Sequence, residues 1–327
     1  MKKGISILRK GFSLVELITA MAITATLVIV IMQLTKQSID LWKAMQEDAA
    51  ANSSSGLALQ TISRDLESMQ MRSGNHDYQW FFAEVDGAMK GTPKALRIPK
   101  SARCVFFVCA PDRNPAVGAK SSSRNNYRDI ISNNVDTQGD VSAVSYRLLF
   151  RDQVLNLPSR AGDMNIFPLF SLYRQVITPR ETFDFLLGRE NLDAVYKRFE
   201  SNEEKHFLCE NIVELSLIFN LEYADENTSS NNDHVTYQTV TVPILSSAAK
   251  DGEQRFRLWG DRALAGGAEL RNARIVSAAV SMTVLTEEGV ALIEQVRLGQ
   301  RRAPKLEEFF SRYTRSYSRS VTVPIPL

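Results

Sequence analysis

One long apolar stretch near the amino terminus limits the folds that this chain can adopt. It extends from Phe12 to Leu34 and contains a single charged residue, Glu16. A helix rises about 1.5 Å per residue, so a helical segment of this length spans the roughly 30 Å of hydrocarbon in a bilayer. The sequence therefore predicts a transmembrane helix.

The residues at the start of this stretch are unusual for a simple anchor. A carboxylate one turn inside an apolar helix costs roughly a few kcal/mol to bury in lipid, so Glu16 requires a partner or a function. The first ten residues include four basic ones, which favour a cytoplasmic location for this leader. A Gly-Phe pair, Gly11 and Phe12, stands at the junction between the leader and the apolar stretch.

The series Lys10-Gly11-Phe12-Ser13-Leu14-Val15-Glu16-Leu17 resembles the class III signal of type IV prepilins and type II secretion pseudopilins. In those families a membrane-embedded prepilin peptidase cleaves after the glycine and methylates the new amino terminus. The resemblance implies cleavage between Gly11 and Phe12, with Phe12 first in the mature chain. It also implies an assembly role for Glu16, which in these families pairs with the free amino terminus of a neighbouring or the same subunit.

Two other interpretations of this segment stay open. A secretory signal peptidase could cut after Ala20-Met21-Ala22, but the apolar run before that point is short and contains Glu16, and hydrophobicity continues past it. An uncleaved anchor explains the span but leaves Gly11, Phe12 and Glu16 without a reason.

Composition places the rest of the chain among ordinary globular proteins. Of the 327 residues, 44% are hydrophobic and 23% charged, enough for one large or two small domains beyond the anchor. The 39 basic and 37 acidic residues nearly balance, so charge does not indicate nucleic-acid binding. The basic leader predicts a cytoplasmic amino terminus, which would place the globular part in the periplasm of a bacterium with two membranes.

Apolar residues at spacings of three and four predict that the helix continues beyond the span to residue 72. These residues are Ile39, Trp42, Met45, Leu59, Ile62, Leu66 and Met69. The pattern places Arg64, Asp65 and Glu67 on the opposite, outward face. The Asn-Ser-Ser-Ser-Gly run at 52–56 is the weakest helix former, so the pattern allows one helix or two with a break.

Short runs rich in Val, Ile, Phe and Tyr follow and predict strands at 103–110, 143–151, 170–177, 212–223, 235–242 and 275–286. Helices are predicted at 181–199 and 306–317, the first covering the sheet with Phe183, Leu186, Leu187, Leu192, Val195, Tyr196 and Phe199. The polar segments 115–138 and 224–233 are predicted to be exposed loops.

The order of four short motifs resembles the layout of J-type minor pseudopilins. They are Val144-Ser-Tyr-Arg-Leu148, Leu172-Tyr-Arg-Gln175, Glu210-Asn-Ile-Val-Glu-Leu215, and Ala273-Arg-Ile-Val-Ser277 with the later Thr-Val-Leu-Thr286. The size of the chain and its prepilin-type signal also resemble those of the Verru_Chthon cassette protein C family of Verrucomicrobia. Many major pilins have a proline near the position of Gln33. This chain has none there, which favours a pseudopilin or minor subunit.

We therefore predict an α+β fold in which a long amino-terminal helix, transmembrane and then periplasmic, packs on a mainly antiparallel β-sheet domain with insertions. The expected divisions are a cleaved basic leader at 1–11, a transmembrane helix at 12–35, a periplasmic amphipathic helix at 36–72 and a globular pilin-like domain at 73–327.

No catalytic or cofactor-binding constellation is visible. His76, His206 and His234 lie in polar contexts, and the sequence has no H-E-x-x-H, C-x-x-C, G-x-S-x-G or P-loop pattern. The acidic segment 225–233 offers oxygen ligands for calcium, but its spacing matches no defined loop, so a solvated loop is favoured. We predict a protein that is not an enzyme and has no metal, cofactor or small-molecule substrate.

The cysteines and the carboxyl-terminal arginines each leave two possibilities. On a strand, Cys104 and Cys109 face opposite sides and cannot bridge each other without a bend, whereas Cys209 could pair with either. Three buried free thiols are equally compatible with the sequence.

On the predicted helix 306–317 and just beyond it, Arg312, Arg315 and Arg319 would share one face. The nearby Glu307 and Glu308 favour a solvated or subunit-facing stripe over a DNA-binding one.

The sequence thus predicts a minor pseudopilin, a structural subunit of a type II secretion or type IV pilus-like filament. Its expected partners are the prepilin peptidase, the inner membrane and other pilins or pseudopilins contacting its amino-terminal helix, with no nucleic acid. The alternative function is a membrane-anchored periplasmic adhesin or substrate-binding module that uses a prepilin-type signal. A deep pocket or an aromatic platform in the sheet domain would favour that alternative.

Overall fold

A computed structural model describes residues 13–72, 74, 77–85, 92–93, 102–109, 141–155, 157, 163–199, 206–224, 237–244, 255–260, 262–265 and 267–323. The chain divides into two compact units, which we call unit 1 (Met1–Ala50) and unit 2 (Ala51–Leu327). The predicted loop 115–138, the segment 225–233, His76 and His234 lie outside the described residues.

The helices are α1 (Leu14–Glu67), α2 (Pro179–Glu181), α3 (Leu192–Tyr196), α4 (Glu287–Arg297) and α5 (Leu306–Tyr313), with a π-helical turn at Thr182–Leu186. The strands are β1 (Gln79–Val85), β2 (Ala102–Cys109), β3 (Val141–Asp152), β4 (Pro168–Val176), β5 (Phe207–Glu210), β6 (Ile212–Ala224), β7 (Tyr237–Ile244), β8 (Arg255–Trp259), β9 (Arg262–Ala265), β10 (Ala268–Arg271), β11 (Arg274–Leu285) and β12 (Thr314–Thr322).

Helix α1 is continuous over 54 residues. The run at 52–56 does not break it, because Ser55 and Ala58 are buried in unit 2 and this packing outweighs the low helix propensity of serine and glycine. The helix ends at Glu67, before the predicted residue 72. There the chain turns to pair with β2, as Gln70 N–H donates to the Phe107 carbonyl (2.8 Å) and Cys109 N–H donates to the Ser68 carbonyl (2.9 Å).

Unit 1 contains the apolar part of α1. Among the described residues, one helical segment, Leu14–Lys43, is long and apolar enough to cross a membrane by length and composition, and none of its most apolar window is buried. Ile39, Trp42 and Met45 are also exposed. The predicted apolar stripe is therefore packed against the core only in its later part, from Ala58 onward.

Unit 2 is built on two sheets, and all the strand pairs between described residues are antiparallel. The larger sheet has the order β10-β9-β8-β1-β2-β3-β4-β5, and the smaller has the order β12-β11-β6-β7. All six predicted strands are present, with ends displaced by at most two residues. The α+β prediction is thus confirmed as a long apolar helix with antiparallel sheets.

An aromatic cluster joins the two sheets. The Phe81 ring of β1 lies 4.9 Å from the Phe219 ring of β6, which lies 5.2 Å from the Phe256 ring of β8. Ala58, Ile62 and Leu66 of α1, and Met69 just after its end, are buried in the same core. One face of the larger sheet is therefore covered jointly by the end of α1 and by the smaller sheet.

The segment 179–199 packs on the larger sheet as short pieces, whereas a single helix was predicted. Gly188, with φ of +77°, interrupts it in a conformation that favours glycine. Leu186, Leu192 and Tyr196 are buried as expected, and the Tyr196 hydroxyl lies 2.5 Å from Ser145 Oγ of β3. The prediction that Phe183 covers the sheet is wrong, because its side chain is half exposed.

The predicted helix 306–317 is also wrong in its last four residues. Helix α5 ends at Tyr313, and β12 then pairs with β11 from Leu285↔Thr314 to Ser277↔Thr322. Pairing with β11 provides hydrogen-bond partners for the backbone N–H and C=O groups of this segment. This pairing stabilises a strand although the arginines are spaced as on a helix. Arg312 therefore lies on α5 while Arg315 and Arg319 lie on β12, so the three do not share a helical face.

Candidate functional site

The predicted processing residues Gly11 and Phe12 lie outside the described residues, and the structure begins at Ser13. Ser13 and Glu16 form a reciprocal cap on α1. Ser13 N–H donates to Glu16 Oε2 (2.9 Å), and Val15 N–H donates to Ser13 Oγ (3.3 Å). This is a capping box, in which a serine and a glutamate three residues later satisfy free amide groups of the first turn. Glu16 thus has a local structural role in starting the helix.

The hydroxyl groups along the apolar part of α1 are satisfied within the helix. Thr24, Thr26, Thr35 and Ser38 each donate to the carbonyl four residues earlier, at 2.6–2.9 Å. Such bonds remove the cost of placing a hydroxyl in hydrocarbon. The carboxylate of Glu16 is therefore the one charged group that this part of the sequence would carry into a bilayer.

A shallow groove runs along α1 beside Glu16. Its lining combines the small side chains of Ala20, Thr24 and Ala25 with larger apolar ones such as Leu17 and Val28. Small residues on a membrane helix allow a second helix to approach closely. The groove places a surface suited to helix packing directly next to the carboxylate.

A buried ion pair fixes the end of α1 on the larger sheet. The Arg174 guanidinium of β4 donates through Nε to Asp65 Oδ2 (2.7 Å) and through Nη2 to Asp65 Oδ1 (3.0 Å). The Tyr146 hydroxyl of β3 also donates to Asp65 Oδ2. Asp65 is fully buried, so this cluster supplies its carboxylate with the partners that burial requires. Burial and the adjacent Asp65 raise the pKa of Tyr146 well above its usual value.

The prediction that Asp65 lies on the outward face is therefore wrong. Its position three residues after Ile62 and four before Met69 places it on the buried face of α1. The helical spacing therefore indicated a buried position for Asp65. The prediction went the other way because a charged side chain is rarely fully buried and because the partner of Asp65, Arg174, is distant in sequence. The pairing with Arg174 follows only from the packing of α1 on the sheet.

The cysteines are free. Cys104 and Cys109 are respectively buried and exposed, as expected for residues on opposite faces of a strand, and Cys209 is buried. Burial raises the pKa of Cys104 to about 12 and that of Cys209 to about 11. Both buried thiols are therefore protonated at neutral pH and lack the thiolate needed for nucleophilic chemistry.

The described residues contain no group of three or more His, Cys, Asp or Glu side chains that could hold a metal ion. His206 is described, and it is half-buried immediately before β5. A cleft of about 490 Å³ lies beside α4 in unit 2. Phe167, Leu169 and Val290 make its lining mainly apolar, and Glu287 and Glu294 stand on its helical side.

No protein-family model matches this chain, and no curated protein or solved structure matches it either.

Proposed function

We propose that this chain is a prepilin-like minor pseudopilin, a structural subunit of a type II secretion or type IV pilus-like filament. It is processed by the prepilin peptidase after Gly11 and anchored in the inner membrane by α1. The sheet-bearing unit 2 is then periplasmic. The proposal rests on the signal Lys10-Gly11-Phe12 followed by Glu16, placed directly at the start of a long apolar helix.

Three features of the structure support this proposal. The apolar segment Leu14–Lys43 is unburied, which leaves it free to contact lipid or other helices. The same helix continues into residues that pack on antiparallel sheet, as in the pilin-like fold that the sequence resembles. The groove beside Glu16 offers a second helix a close approach next to a carboxylate.

The alternative function, a membrane-anchored substrate-binding module, has one favourable observation. The apolar cleft beside α4 has a volume within the range of small-molecule sites. Its polar lining residues are Glu287, Glu294, Gln295 and Asn211, and of these Glu294 is already paired with Arg297. The buried Oδ1 of Asn211 has no hydrogen-bond partner among the described residues, so it is the one group whose geometry favours a ligand. The pseudopilin proposal is therefore the better supported of the two.

Photo-cross-linking within the membrane tests the assembly part of the proposal. A photoreactive residue at Ala20, in the groove beside Glu16, is expected to form cross-links to a second pilin-type helix when the parent secretion or pilus machine is present. The matched control carries the same residue at Phe183, a half-exposed position in unit 2. Cross-links from Ala20 to lipid alone, with none to protein, would contradict assembly through this helix.

A further inference from the structure

Among the described strands, four end the two sheets, and β12 differs from the other three. Strands β5 and β10, at the ends of the larger sheet, have four residues each, and β7 contains Pro243. Strand β12 has nine residues, contains no proline, and pairs with β11 without a register shift. A short strand, a proline or a bulge discourages further pairing at a sheet edge, and β12 has none of these.

The hydrogen bonds at the two ends of the β11–β12 pair fix the direction of the β12 backbone groups. Thr286 N–H donates to the Tyr313 carbonyl (3.0 Å), and Val323 N–H donates to the Val276 carbonyl (3.1 Å). In an antiparallel pair, hydrogen-bonded residues alternate with residues whose N–H and C=O groups point away from the neighbouring strand. Odd-numbered residues of β12 therefore bond to β11, and even-numbered residues point outward.

The outward backbone groups of β12 belong to Ser316, Ser318 and Ser320, which we call the free edge. All three residues are exposed. Their backbone N–H and C=O groups have no hydrogen-bond partner among the residues that the structure describes. Successive unpaired donors and acceptors along a regular strand are a template for an added strand.

The side chains that alternate with the free edge form a positively charged row. Arg315, Tyr317 and Arg319 lie on one side of the smaller sheet, because side chains on a strand alternate between its two faces. Strand β12 has no acidic residue, and Val284 and Val280 of β11, opposite the two arginines, are uncharged. Arg319 is exposed and forms no ion pair with a described residue.

Charge determines which strand this edge accepts. On an added antiparallel strand, the residues opposite Arg315 and Arg319 would stand in non-hydrogen-bonded pairs, where opposing side chains are closest. Negative charges at those positions are favourable, and positive charges are unfavourable. A second copy of β12 would bring its own two arginines to the same row, so the edge disfavours pairing with itself.

We propose that β12 binds an extended, acidic segment of another protein as an added antiparallel strand. The backbone groups of the free edge hold the segment. Two carboxylates, spaced along the segment like Arg315 and Arg319, pair with these arginines, and an apolar residue midway between them contacts Tyr317. The proposal concerns unit 2 alone and depends on neither the membrane anchor nor a filament.

The test titrates the full chain in mild detergent into a short fluorescent peptide and measures the fluorescence anisotropy. The peptide sequence is Thr-Glu-Thr-Val-Thr-Glu-Thr, with both ends blocked to remove terminal charges. One control peptide has lysine in place of glutamate. A second control has N-methyl groups on the two inner threonines, which removes backbone donors and keeps the charge. We expect saturable binding of the acidic peptide and at least about tenfold weaker binding of both controls.

Two variants separate the contributions of the backbone and of charge. Ser318→Pro removes one outward N–H without removing a hydrogen bond to β11, and Arg319→Glu replaces an attraction by a repulsion. Each should weaken binding of the acidic peptide about tenfold. Arg319→Glu should also strengthen binding of the lysine peptide. The matched control, Arg302→Glu, changes an exposed arginine outside β12 and should leave binding unchanged. Near-UV circular dichroism checks that each variant is folded.

Hydrogen exchange resolved at single residues gives an independent measurement. The amides of the free edge should exchange rapidly in the free chain and slowly with the acidic peptide. Those of Tyr317 and Arg319, already bonded to β11, should change little. Slow exchange of the free edge without peptide would overturn the proposal, because another part of the chain, or a second copy if protection grows with concentration, would occupy it. Equal binding of all three peptides, or no binding of the acidic one, would overturn it too.

Discussion

Asp65→Ala is expected to lower the free energy of unfolding of unit 2 by about 3–5 kcal/mol, because it leaves Arg174 buried without its counter-charge. The Arg174 side chain is 17% exposed and that of Asp65 is 0% exposed, so water cannot replace the lost partner. The Tyr146 hydroxyl also loses its acceptor. Urea unfolding of the full chain in mild detergent, followed by near-UV circular dichroism, measures the change.

Two further variants separate the ion pair from a general effect of removing a charge. Glu269→Ala breaks the exposed pair with Arg262 and is expected to cost less than about 1 kcal/mol. The double substitution Asp65→Leu with Arg174→Met replaces the buried pair by apolar side chains and should recover most of the lost stability. A cost for Asp65→Ala no larger than that for Glu269→Ala would show that the cluster does not hold α1 on the sheet.

Replacing Glu16 is expected to block assembly while leaving membrane insertion and cleavage after Gly11 intact. The assembly role requires the negative charge, which pairs with the amino terminus of mature Phe12, whereas the capping box requires only an acceptor at position 16. Glu16→Gln keeps the acceptor and removes the charge, and Glu16→Leu removes both. We expect both variants to reduce cross-linking from Ala20 at least about tenfold, equivalent to about 1.4 kcal/mol of assembly free energy.

The comparison of the two variants distinguishes the roles of Glu16. Cross-linking yield and activity of the parent machine are measured in membranes after the processed mass has been checked. If Glu16→Gln assembles like the wild type and only Glu16→Leu is impaired, capping of α1 explains the residue. If both variants assemble normally, Glu16 has no assembly role.

The sequence was most informative where a pattern depends on near neighbours. The apolar run before Leu34 predicted the exposed part of α1, and short runs rich in Val, Ile, Phe and Tyr predicted β2, β3, β6 and β11 within two residues. Strand β1, Gln79–Val85, was missed because its apolar run covers only residues 80–83. The first four residues of β12 were predicted as the end of a helix, because their pairing with β11 is a contact between distant parts of the sequence.

The remaining features depend on contacts between residues that are distant in the sequence. Asp65 and Arg174 meet only after α1 has packed on the larger sheet. Asp152 accepts a hydrogen bond from the Phe167 backbone and Arg297 donates one to the Ile166 carbonyl, and neither residue belongs to a recognisable motif. By contrast, the predicted roles of Gly11, Phe12 and Glu16 rest on a continuous signal, and they stay predictions until processing is measured.

Intact-mass measurement of the protein extracted from membranes containing a prepilin peptidase tests the proposed function most directly. The expected product begins at Phe12 and carries one methyl group on its amino terminus, and the full-length chain accumulates when the peptidase is absent. A product beginning at Ile23 would instead assign the segment to a secretory signal peptidase. An intact Met1 in the presence of an active peptidase would show a plain anchor, and either result would contradict the pseudopilin proposal.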